Sequence, residues 1–117
     1  MSLQMKRVIL FVNDMQKMTV FYTDVLGLKP LVDPKYPPSE WIQFDASGGL
    51  IALHKAFDGS GQPATWNKIT FYTPDVRLAR EQLIAKGARM EELNDWGELI
   101  ACDGLDPEGN RFQISNR

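Results

Sequence analysis

Apolar and polar positions follow two rhythms along this chain. RVILFV (7–12) packs β-branched and aromatic residues into six positions, as a strand does, and MQKMTVFYTDVLGL (15–28) then carries Met15, Met18, Phe21, Tyr22, Val25 and Leu26 at helical spacing up to Gly27. LVDPKYPPSE (31–40) holds three prolines and reads as a loop or an irregular edge strand. WIQFD (41–45) and LIALHK (50–55) read as strands joined by the turn ASGG. The stretch AFDGSGQPAT, with two glycines and a proline in ten residues, has the composition of a linker. After it the order starts again. KITFYT (68–73) is a strand, and DVRLAREQLIAKG (75–87) puts Val76, Leu78, Ala79, Leu83 and Ile84 on a helical stripe before a glycine stop. ELIACD (98–103) and RFQIS (111–115) read as strands.

An offset of 61 places Asp14 on Asp75, Asp45 on Asp106, Gly48 on Gly109 and Leu53 on Ile114. Four matches at one offset, with the same element order, point to a duplicated βαβββ unit. The expected fold class is α+β. One domain fills 1–117, with a βαβββ unit at 5–56, a linker at 57–64 and a second unit at 65–117.

Composition narrows the function. The 117 residues are 44% apolar and 24% charged with net charge −2, so no basic face is available for nucleic acid or anionic lipid. No apolar run approaches the ~18 residues of a membrane span. One cysteine, Cys102, precludes an internal disulfide, and the opening MSLQMK lacks the apolar core of a secretory leader, so the expected compartment is the cytoplasm. No Gly-rich phosphate loop, Ser-His-Asp order or Cys-x-x-Cys pair supports a nucleotide or redox cofactor.

FVNDMQKMTVFYTDVLGL, TPDVRLAREQLIAKGA and WGELIACDGLDPEGNRFQI resemble the signature segments of the vicinal-oxygen-chelate superfamily, which contains glyoxalase I, bleomycin-resistance proteins and extradiol dioxygenases. The most specific piece is the D-P-[DE]-G-N turn leading into the last strand. The resemblance covers nearly the whole chain. It implies two tandem βαβββ units forming a curved mixed sheet, a half-barrel or cleft, with helices on the convex side. It also implies a homodimer. Metal-dependent members carry His, Glu or Gln at four matching points, the last commonly a glutamate. Here those points match Arg7, Ala52, Lys68 and Gln113, and two cations and a methyl do not hold a divalent ion.

Strand alternation assigns the rest. Val8, Leu10 and Val12 face the helix, which leaves Arg7, Ile9 and Phe11 on the concave side with Ala52, His54, Lys68, Thr70, Tyr72, Gln113 and Ser115. Cys102 is expected to share that side. Arg7 and Lys68 hold equivalent places in the repeats and suit a carboxylate, phosphate or enolate oxygen, unless each snorkels to water and pairs with a surface acid. A buried Lys68 could serve as base or Schiff-base amine, and His54 has the chemistry for proton transfer or a polar strand end. Cys102 reads as a small hydrophobe, Met15 and Met18 as core. The acidic MEELNDWGE (90–98) reads as a solvated loop.

Trp41, Trp66, Trp96, Phe11 and Tyr72 are enough aromatic surface to line an apolar pocket, with Trp66 and Trp96 equally suited to a pocket rim or dimer contact. The expected function is a metal-free, cofactor-free binding protein holding a small organic ligand against Arg7, Phe11, Trp41, Gln43, His54, Lys68, Tyr72 and Gln113. The alternatives are a lyase, isomerase or dioxygenase working through an unexpected metal or through His54 or Lys68, and an interaction module whose pocket is filled by its own side chains.

Overall fold

Two aspartates 61 residues apart start the two helices. The carboxylate of Asp14 accepts the Lys17 backbone N–H at 3.0 Å and that of Asp75 the Leu78 N–H at 3.0 Å, each satisfying a donor that the first helical turn leaves unpaired. The computed structural model describes residues 1–62 and 66–117, and the chain divides into two compact units, Met1–Gln62 and Pro63–Arg117. The end of the linker expected at 57–64, and position 65, lie outside the described residues.

The first unit runs β1 (Arg7–Val12), α1 (Met15–Val20), β2 (Lys29–Leu31), β3 (Trp41–Asp45) and β4 (Leu50–Lys55). The second runs β5 (Lys68–Tyr72), α2 (Val76–Ala85), β6 (Arg89–Asp95), β7 (Ile100–Leu105) and β8 (Arg111–Ser115). Their sheets have the orders β1-β4-β3-β2 and β5-β8-β7-β6. In both, the first and last strands are parallel and the other pairs antiparallel. The fold is α+β, two open four-stranded mixed sheets each with its own helix, as the repeat predicts. Among the described residues no helix is long and apolar enough to cross a membrane.

Alternation sorts the side chains. In the first unit Val12, Ile42, Phe44, Ile51 and Leu53 are buried together with Met15, Met18, Phe21 and Tyr22. In the second, α2 packs through Val76 against Cys102 and Ile114, with Phe71, Ala79, Leu83, Met90 and Leu93 around them. Full burial of side chains such as Phe44, Leu53 and Met18 is worth about 1.5–3 kcal/mol each, so these layers fix the sheet registers.

Four expectations are corrected. The first helix is regular only to Val20; Phe21–Val25 forms a wider π-helical turn, with the Leu26 N–H reaching the Phe21 carbonyl at 3.0 Å. The edge strand of the first unit is Lys29–Leu31, mostly ahead of the proline-rich stretch. The acidic stretch assigned to a solvated loop forms most of β6. Its register shifts between Met90 and Leu93, and this bulge lets two apolar residues three apart both join the core, which breaks the period of two that marks a strand. Cys102 pairs with Ile114 and Leu93 and lies fully buried on the helix side. Its neighbour Asp103 takes the opposite face.

The DPEGN turn is closed by its own aspartate. Asp106, fully buried, accepts from the backbone N–H groups of Glu108 and Asn110 through Oδ1 and from the Asn110 side chain through Oδ2, each at 2.9 Å. Gly109 sits at φ 86°, where a side chain would be strained. The turn aims β8 back along β7, which sets Gln113 opposite Asp103.

Candidate functional site

On the face of the first sheet away from α1, cross-strand pairing builds rows of neighbours. Phe11, His54 and Trp41 form one row, and Ile9, Ala52 and Gln43 the next. With Arg7 from the start of β1 and residues 33–40, these rows border a cleft of about 680 Å3 lined by Arg7, Asp33, Tyr36, Glu40, Trp41, Gln43, His54 and Lys55. That volume falls within the range of about 300–1,000 Å3 usual for small-molecule sites.

The rings of Trp41 and His54 meet nearly at right angles, 86° with centroids 5.8 Å apart, and make a flat-walled corner. Phe11 backs the imidazole at 5.0 Å and packs against Phe57, supporting the wall rather than lining the space. The Nδ1–H of His54 donates to the Lys55 carbonyl at 2.7 Å. A carbonyl only accepts, so in the neutral ring Nε2 carries the free lone pair. The Arg7 Nε–H donates to Gln43 Oε1 at 2.8 Å, and the guanidinium carbon lies 6.0 Å from the Trp41 ring centre. Lys55 donates to the Asn13 carbonyl at 2.7 Å, which draws its charge to the β1–α1 loop.

The equivalent face of the second unit holds a polar network. Asp103 is buried, and its carboxylate accepts from Lys68 at 2.9 and 3.2 Å, from Gln113 at 3.1 Å and from Arg111 at 3.2 Å. Arg111 also pairs with Glu91 at 2.7 Å, with its guanidinium 4.7 Å from the ring centre of the exposed Trp66. Burial pushes the Asp103 carboxyl up, but hydrogen bonds from Lys68, Gln113 and Arg111 and the Lys68 charge outweigh it and hold the group below the usual carboxylate range.

Of the side chains singled out from sequence, Arg7, Phe11, Trp41, Gln43 and His54 thus share the face around one cleft. Lys68 and Gln113 lie in the second unit, bound to Asp103. Tyr72 lies on that same face, exposed, two rows from Lys68 along β5. Asp33, Tyr36 and Glu40 escaped the reading because a proline-rich segment has no period from which to read a face. Asp103 escaped it because the expected face for β7 was inverted by one residue.

The sequence model of the Glyoxalase/Bleomycin resistance protein/Dioxygenase superfamily matches residues 4–114. The chain belongs to this superfamily. Solved structures agree in fold at low identity. A member of the superfamily from Sphaerobacter thermophilus DSM 20745 is 22% identical with a TM-score of 0.78, covering 97% of each chain. TnmS3, an antibiotic binding protein from Streptomyces sp. CB03234, is 18% identical at 0.78, over 97% of this chain and 94% of its own. Lactoylglutathione lyase from Agrobacterium tumefaciens is 19% identical at 0.73, over 97% and 93%. No curated protein matches the chain in sequence.

The metal that the superfamily resemblance implies can be tested against the residues at its four points. Arg7 and Lys68 repel a cation, and Ala52 has no donor atom. Gln113 is committed on both sides, its amide N–H to Asp103 and its carbonyl accepting from Thr70 at 3.3 Å. Among the described residues no three His, Cys, Asp or Glu side chains gather as a ligand group. The donor set does not fit a divalent ion.

Proposed function

We propose that this superfamily member binds a small organic molecule in the cleft of its first unit and does so without a resident metal. The observation that carries the reading is the cleft itself: a corner walled by the Trp41 indole and the His54 imidazole, with a positioned guanidinium beside it, which together give apolar contact with a few convergent polar groups. Binding by a homodimer in the cytoplasm goes with it, since each open sheet ends in edge strands that a second copy can cover.

The test is metal analysis of the tag-free protein, calorimetric titration with Ni²⁺, Zn²⁺, Mn²⁺ and Fe²⁺, and a thermal-shift screen of small aromatic compounds. The reading expects no stoichiometric ion and at least one compound whose stabilisation disappears in Trp41→Ala. One tightly held ion per subunit would overturn it.

His54 supports a second reading, an acid–base enzyme. Its Nδ1 hydrogen bond fixes the tautomer that presents Nε2 as a proton acceptor, the arrangement general-base chemistry needs. Lys68 is less suited to base or Schiff-base work, which needs an amine nitrogen free to use its lone pair, because its Nζ is tied to the Asp103 carboxylate. Under this reading His54→Asn abolishes turnover of any substrate found in the screen with little change in stability; full activity in that variant rejects it.

A further inference from the structure

The geometry points to an occupant for this cleft: a planar aromatic molecule with one carboxylate or comparable oxyanion attached directly to its ring. Arg7 would be the anion receptor and Gln43 the residue that positions it. This rests on the small-molecule reading above and adds the chemistry of the ligand.

Arg7 and Gln43 come from β1 and β3, separated in the sheet by β4, where the small Ala52 stands in the same row as Gln43. The guanidinium reaches Gln43 through Nε. That contact occupies the side-on fork made by Nε and one terminal nitrogen and leaves the end-on fork, in which the two terminal nitrogens grip a carboxylate with parallel hydrogen bonds. Among the described residues no carboxylate forms an ion pair with Arg7, whereas Lys68 and Arg77 each hold one and Arg111 holds two. The cation is therefore placed without a carboxylate in direct contact.

Distance and shape set the rest. The guanidinium carbon lies over the Trp41 ring, 6.0 Å from its centre, so a flat ligand that joins this stack beside the guanidinium carries its oxyanion directly on the ring, with no long spacer between. The perpendicular His54 ring closes one side of that stack and favours a flat ligand. Asp33 and Glu40 line the same cleft, so a second negative charge on the ligand meets repulsion.

The experiment uses three probes of one shape, 2-naphthoate, 2-naphthalenemethanol and 2-naphthylmethylammonium, titrated calorimetrically into the 117-residue chain. The expected result is naphthoate binding about ten-fold or more tighter than the alcohol, as a charge-assisted bidentate contact requires. Arg7→Met brings naphthoate down to the alcohol's affinity, and Gln43→Leu narrows the ratio part-way because the fork loses its anchor. Arg7→Lys, which keeps the charge and the stem, retains an intermediate ratio and serves if the Met variant does not fold. Equal binding of naphthoate and alcohol, or tighter binding of the ammonium probe, overturns this inference and leaves the small-molecule reading standing. Failure of all three probes to bind overturns the cleft reading with it.

Discussion

Asp103→Asn keeps the shape of the side chain and removes only its charge and one acceptor oxygen. In the native network both oxygens face donors: Oδ1 receives Lys68 and Gln113, and Oδ2 receives Lys68 and Arg111. An asparagine must turn its own NH2 toward donors whichever way the amide is placed, so two of the four contacts are lost and the others lose their ionic part. The carboxylate is 11% exposed, Arg111 14% and Lys68 32%. Breaking a fully buried pair costs about 3–5 kcal/mol. Arg111 keeps Glu91 and Lys68 can turn toward water, which brings the expected loss to about 2 kcal/mol. At ~2.1 cal/mol/K of unfolding entropy per residue, that lowers Tm by about 8 °C for a chain of this length. Urea unfolding and calorimetry at pH 7 measure both. Asp95→Asn is the control, because its partner Arg77 is 59% exposed, and pairs of that kind are worth about 0–1 kcal/mol. The sign with pH follows from the depressed carboxyl. The unfolded chain takes up this proton first as pH falls, so the contribution is whole above the ordinary carboxylate value near ~4 and is lost as pH drops through the folded value. The difference between wild type and Asp103→Asn should thus be constant from pH 5 to 8 and shrink below about pH 4. A loss no greater than the Asp95→Asn control, or a difference unchanged down to pH 2, refutes the network's role.

Gly104→Ala places a Cβ 2.5 Å from Phe112 and 2.6 Å from Met90, so it should cost about 1–3 kcal/mol in urea unfolding; a neutral change would mean the sheet yields easily there. Cys102 is buried, its thiol pushed up by burial and donating to the Glu91 carbonyl at 3.3 Å, so Ellman's reagent at pH 8 should label it only as fast as the protein opens, and fully in urea. Rapid labelling of the folded protein would contradict that placement. Gly109→Ala should lose about 1 kcal/mol in thermal unfolding, since the turn holds this residue at φ 86°.

The sequence by itself determined the repeat, the helical spacing that follows Asp14 and Asp75, the DPEGN turn and the helix-facing set of β1. Each rests on local chemistry: a turn geometry, or a period of two or 3.6 residues that one stretch of chain displays alone. It also placed Arg7 and His54 on one side, because alternation follows once a strand is known, and it named Trp41 and Gln43 among the expected ligand contacts. What it lost were features that depend on pairing. The β6 bulge between Met90 and Leu93 exists only against β7, and it hid a strand within an acidic run. The faces of Cys102 and Asp103 follow from register against β8, where a shift of one residue exchanges the two sides. Tertiary structure alone decided that Lys68 pairs with Asp103, 35 residues away, while Arg7 carries no ion pair among the described residues and lies beside Trp41 at a cleft. Two basic residues in equivalent places of the repeat had one meaning in the sequence. Their different neighbours on strands distant along the chain gave them two.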